Sequence, residues 1–254
     1  MRYGQAGEFQ HYAAAPTPSL VAGRLAFLRK VYGLFSASLV FSALGALVAL
    51  YAGTGVSRAV IPTPDGALVV PPLVAFFAQH WIVGLVLMMG AVFGASFVRR
   101  VPGINVAALF GMATLLGVIF APALFWAQVA AGMGGTISAH PIRDAFLLAV
   151  AAFAGLSGYA LLARKDFSYL AGFLSMGLIV VIGAIVLNLF VGSSVLGLAI
   201  ASACVLLFGA FVLYDTSRLL RSDESDAVGG ALSLYLDFIN LFLALLRILG
   251  ARRE

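Results

Sequence analysis

From residue 30 onward, apolar runs of about 19 to 27 residues alternate with short polar breaks, and their length suits a bilayer core of about 30 Å. The pattern predicts seven membrane-spanning helices over about residues 30–52, 73–98, 104–130, 143–163, 168–190, 194–219 and 231–249. The breaks carry turn chemistry. "PTPDGALVVPP" (62–72) separates the first two runs, "RRVPG" (99–103) the next pair, and "GMGGTISAHP" (132–141) precedes the fourth. "ARKDFS" (163–168) joins the fourth and fifth, with Asp166 or Ser168 placed to cap the fifth helix. "RSDESDAVGG" (221–230) precedes the seventh. Gly90 and Gly94 form a GxxxG in the second run; it either permits close helix approach or reflects a chain with 28 glycines.

Composition sharpens this into an all-α integral membrane protein. Hydrophobic residues make up 63% and charged residues 10%, against about 25% charged in a soluble domain. The net charge of +5 does not point to nucleic acid, because the basic residues cluster at the ends of apolar runs and form no basic, aromatic-interleaved patch. The single Cys204 excludes an intrachain disulfide. His11, His80 and His140 lie far apart and offer no Cys/His metal set. The polar first stretch is a poor match to a cleavable signal peptide.

Lys and Arg set the expected orientation. With the N-terminus inside, ten of the 15 basic residues lie on the inner side: Arg2, Arg24, Arg29, Lys30, Arg99, Arg100, Arg164, Lys165, Arg218 and Arg221. Arg58, Arg143, Arg247, Arg252 and Arg253 lie outside. The basic end "ARRE" leaves two options: it is tolerated outside, or the seventh segment does not fully span.

Two acids lie inside apolar runs, Asp215 in "FVLYDTSRLL" and Asp237 in "ALSLYLDFINLFLALLRILG". Each sits roughly 6 to 9 Å from the inner face at 1.5 Å per residue, so antiparallel neighbours bring them to one depth. Arg99 and Arg100 end the second run at that boundary. Like-charge repulsion and lost hydration would favour a proton held by the pair, which could then exchange near neutral pH. Ser233, Asp237, Asn240, Ala244 and Arg247 fall within about 80° on one helix face, which is expected to look into the bundle. Asn188 is a further polar group at depth, read as an interhelical hydrogen bond. Enzyme readings lack their parts. There is no supporting motif for intramembrane aspartyl proteolysis, no deep lysine for retinal and no histidines for a triad or zinc site. No interrupted helix pair or inverted repeat suggests a transporter.

The same residues carry a resemblance. "ALSLYLDFINLFLALLRILG" closely resembles the C-terminal signature of the Bax inhibitor-1, or transmembrane Bax-inhibitor-motif, family. "LYDTSRLL" resembles its preceding aspartate motif. "ARKDFSYLAGFLSMGLIVVIGAIVLNLF" is similar to its fifth helix with the loop before it, and "RKVYGLFSASL" to its opening helix. The resemblance covers about residues 24–250. It implies a seven-helix bundle with the last helix central over 24–250; residues 1–23 lie outside it and read as a disordered cytosolic tail, and 251–254 as a short basic tail.

The resemblance further implies a pH-sensitive calcium (cation) leak channel in a bacterial inner membrane, multi-pass, with a cytoplasmic N-terminus and no cofactor. Asp215 and Asp237 match the family's pH sensor, and Arg99 matches an arginine that latches onto them in the closed state. Calcium-conducting relatives can carry a glutamate eleven residues before that arginine; Met88 stands there in this chain. Calcium prefers six to eight oxygens, so Asp215 and Asp237 with carbonyls and water would make a weak, transient site. The other implied role is a non-conducting regulator, such as a modulator of a membrane-embedded AAA protease that engages the N-terminal tail.

Overall fold

The computed structural model describes residues 18–56, 59–63, 66–133, 136–163, 165–221 and 226–251. Of the tail expected over 1–23, residues 1–17 lie outside these, as do Arg58, Arg164 and residues 252–254, while residues 18–23 already belong to the first helix. The described residues form eight α-helices: α1 (Pro18–Tyr51), α2 (Pro72–Gln79), α3 (Trp81–Val98), α4 (Ile104–Gly132), α5 (Pro141–Ala163), α6 (Leu170–Val191), α7 (Ser194–Leu219) and α8 (Ala227–Leu249). Seven of them, all but α2, are long and apolar enough to cross a membrane. Between α1 and α2 lie a short 3-10 turn and an antiparallel hairpin, β1 (Val60–Thr63) with β2 (Gly66–Val69).

The second run is not one helix. It breaks at His80 (φ −109°, ψ 49°), leaving the eight-residue α2 apart from the 18-residue α3. Eight residues rise only about 12 Å, so α3 makes the crossing alone. The polar pair Gln79–His80 interrupts the apolar pattern there.

The last helix is the axis of the bundle. α8 packs against α7, α5, α1 and α4, and it is the most buried of the seven spans. Phe238 anchors it: Phe35 and Phe153 stack at 4.8 Å, and both meet the Phe238 ring edge-to-face at 5.8 Å. Such pairs add about 0.5 to 1.5 kcal/mol beyond the area they bury. α6 is the opposite case, since its main packing partner is α7, through Leu174, Val181, Ile200 and Leu207.

Close helix approach occurs at α1–α4, not at the GxxxG of Gly90 and Gly94. A Cβ at Gly45 would stand 2.1 Å from the Thr114 carbonyl oxygen, and one at Gly117 1.9 Å from that of Ser42. At Gly90 and Gly94 an added Cβ would meet nothing within 4 Å. Those two glycines are therefore not used in packing within the chain.

The two faces of the bundle are fixed by contacts. Arg99, ending α3, meets Asp226 at the start of α8, and Arg221, ending α7, meets Asp166 in the α5–α6 loop. At the far end, Ile137 N–H donates to the Ala251 carbonyl at 3.0 Å and Ser138 N–H to that of Leu249 at 3.1 Å. The end of α8 thus docks on the α4–α5 loop, on the face opposite its start. α8 therefore runs from one face of the bundle to the other.

Candidate functional site: a buried carboxyl pair

α7 and α8 are antiparallel neighbours, and each delivers one aspartate to their shared surface. Asp215 is 7% exposed and Asp237 5%, and α7 and α8 place the two carboxyl groups close enough to act on one another. A carboxylate accepts but cannot donate, so the two can bond only when one of them holds a proton. With both ionised, the buried Oδ2 of Asp237 has no hydrogen-bond partner. Two bare like charges at this distance, out of water, would repel strongly.

The alignment differs in detail from the sequence reading. α8 begins at Ala227, four residues earlier than expected, because Asp226 caps it by accepting from Gly229 N–H at 2.8 Å. Asp237 therefore lies ten residues into its helix. The carboxylates still come close, because the first turn of α8 projects past the end of α7: Gly230 sits against Leu219.

One arginine attends the pair, and it is Arg218. Its Nη2 lies 3.3 Å from Asp215 Oδ1 and donates to Ser233 Oγ at 3.2 Å, joining α7 to α8. Its guanidinium stands 5.7 Å from the Tyr214 ring centroid, within cation–π range. The expected latch, Arg99, is elsewhere. Its Nε pairs with Asp226 Oδ2 at 3.2 Å, because α3 ends level with the start of α8 rather than with Asp237. Arg100 is exposed beyond the end of α3.

Among the supporting polar residues, Ser233 joins the site through Arg218. Asn240 does not: its Nδ2 donates to Leu236 O in its own helix at 2.8 Å. Asn188 sits near the far end of α6, and its buried Oδ1 has no hydrogen-bond partner, so the expected interhelical bond is not formed by that atom. The polar stripe of α8 lies at the edge of the buried surface. Asp237 and Ala244 are buried, Ser233 and Asn240 half-buried, and Arg247 exposed.

Neither Asp166 nor Ser168 caps α6. Asp166 Oδ1 accepts from Ser168 N–H at 2.8 Å, and Tyr169 takes the cap position without a side-chain bond. Beside the pair, Thr216 Oγ1 meets Ser157 Oγ at 3.2 Å, and Ser157 in turn meets the Tyr32 hydroxyl, tying α7 to α5 and α1. Tyr235 OH donates to Ser42 Oγ at 3.1 Å. Arg218 was read in the sequence only as a topology signal, although its i,i+3 spacing from Asp215 permits the pairing. The hydroxyl chain had no sequence signal, since it joins residues far apart along the chain.

These features define a polytopic helical membrane protein with a paired carboxyl group buried between its last two helices. The chain belongs to the Bax inhibitor-1 family: the family model described as "Inhibitor of apoptosis-promoting Bax1" matches residues 24–254. An uncharacterised protein of Campylobacter jejuni is 35% identical over 226 residues, 88% of this chain and 87% of that one. The mouse protein lifeguard 4 is 29% identical over 242 residues, 95% and 91% of the two chains. A protein of Escherichia coli K12 named as a modulator of FtsH protease, YccA, is 29% identical over 226 residues, 88% and 89% of the two.

Proposed function

We propose that this chain is a non-enzymatic, pH-sensitive calcium (cation) leak of a bacterial inner membrane, with Asp215 and Asp237 as its proton sensor. The observation that carries this reading is the closeness of the two carboxyl groups between α7 and α8. With one proton they bond; without it they repel, and the surface joining α7 to α8 is strained. Calcium passing here would meet two carboxylates, carbonyls and water, a set suited to transient rather than tight binding. In this reading Arg218 holds Asp215 in the present state, while Arg99 grips the cap of α8 and could reach the pair only after α3 and α8 shift.

The test is calcium and potassium flux in liposomes against pH, for wild type, Asp215→Asn and Asp237→Asn. Wild-type calcium flux changes across neutral pH, and each variant flattens that response. A wild-type flux indifferent to pH, or an Asp215→Asn variant that responds like wild type, refutes the sensor.

The E. coli relative's name favours a second reading, a modulator of a membrane-embedded protease engaged through the N-terminal tail. Deleting residues 1–17 then abolishes cross-linking to such a protease while leaving flux intact. Cross-linking that recovers no protease from wild type rules this reading out.

A further inference from the structure

We propose that a phosphate group binds in the cavity between the α5–α6 loop and the last turns of α7. The cavity has a volume of about 140 Å³ and is lined by Ser168, Tyr214, Ser217, Arg218 and Arg221. Two arginines and the hydroxyl-bearing Ser168 and Tyr214 line it, a donor-rich set suited to tetrahedral oxyanions; the Ser217 hydroxyl is already donated to the Tyr214 carbonyl at 3.0 Å. α6 starts beside it with no side-chain cap, so the positive end of its dipole adds to the attraction.

The arginines are positioned but not used up. Arg218 makes both of its bonds, to Asp215 and Ser233, from Nη2 alone, leaving Nε and Nη1 without a bond among the described residues. Its side chain is 51% exposed. Arg221 is held by the buried Ser217 Oγ at 2.9 Å and the Lys165 carbonyl at 3.3 Å. Its other partner, Asp166 at 2.6 Å, is an exposed carboxylate. A phosphate carries more charge than Asp166 and matches the planar fork of an arginine, so it can displace that side chain to solvent. Asp215 is the other nearby acid, and it shares Arg218 with the cavity. Lys165, on the same loop, adds a positive charge.

The cavity opens at the face where α7 ends, the depth at which lipid headgroups lie. The phosphate can therefore come from an anionic lipid of that leaflet or from solution. The site stands whether or not the chain conducts calcium.

The experiment takes the full chain in nanodiscs of equal phosphatidylglycerol and phosphatidylcholine, with native mass spectrometry reading the lipid retained. A second arm uses phosphatidylcholine discs with inorganic phosphate, read by phosphorus NMR line broadening. Preferential phosphatidylglycerol retention that falls about tenfold in Arg221→Gln, with Arg221→Lys between that variant and wild type, supports a lipid source. Phosphate broadening that Arg221→Gln abolishes supports a soluble source at the same cavity. If Arg221→Gln does not fold, Tyr214→Phe, which removes only a hydroxyl, must weaken whichever signal wild type shows. Signals indifferent to these substitutions, or no signal in either arm, overturn the proposal.

Discussion

Asp166 shows at the scale of one residue how local donors set a charge. The backbone N–H of Ser168 holds its carboxyl below the ordinary 3.8; the Ser168 side chain and the Arg221 guanidinium act the same way, and desolvation opposes them. A depressed carboxylate contributes stability that is present above the unfolded value and lost as pH falls through the lower folded value. The loop contact to Arg221 should therefore hold at neutral pH and release only in acid below 3.8. A carboxyl-carbon NMR titration should place the Asp166 midpoint below that of an unfolded aspartate; an ordinary midpoint contradicts the contact. The sequence placed Asp215 and Asp237 together because antiparallel neighbours share depth. It hid the role of Arg218, whose charge is equally expected as a topology signal at the end of a span. It also misdirected Arg99, because Asp226, its partner, lies in an acidic loop that reads only as a break.

Among the elements, two joints carry separate tests. Asp226 caps α8 and pairs with Arg99, so Asp226→Ala should cost about 1 kcal/mol from the cap alone, with a further small loss from the ion pair. Thermal unfolding in detergent, run as a cycle with Arg99→Gln, should show coupling between the two residues; strictly additive losses would mean that Arg99 does not grip the cap. The α1–α4 crossing depends on Gly45 and Gly117, each facing a backbone carbonyl that cannot give way. Gly117→Ala should lower stability by about 1 to 3 kcal/mol, while Gly90→Ala, with open space around its Cα, should cost almost nothing. Equal effects at the two positions would contradict the packing. A small-residue pattern could mark a possible joint but could not say which helix covers it, and of the two readings left open for Gly90 and Gly94 the structure shows no close approach. The break at His80 was equally hidden, since neither proline nor glycine marks it.

For the molecule as a whole, burial grades from α8 at the axis to α6 at the rim. Phe238→Ala should destabilise by about 3 to 5 kcal/mol. Phe190→Ala, 85% exposed on α6, should stay within about 0.5 kcal/mol. Similar losses at both positions, by unfolding in detergent, would contradict the central place of α8. The seven spans were legible because each must bury a bilayer's length of apolar surface, and the central place of α8 followed from the family signature it carries. The same axial helix holds Asp237, so any proton gained or lost there acts on the surfaces that hold the bundle together. The most direct measurement is the acid-minus-neutral infrared difference spectrum of the full chain in lipid bilayers. The shared-proton account predicts a protonated-carboxyl C=O band that is lost or shifted in both Asp215→Asn and Asp237→Asn. A spectrum without that band, or one in which both variants keep it unchanged, would contradict the account.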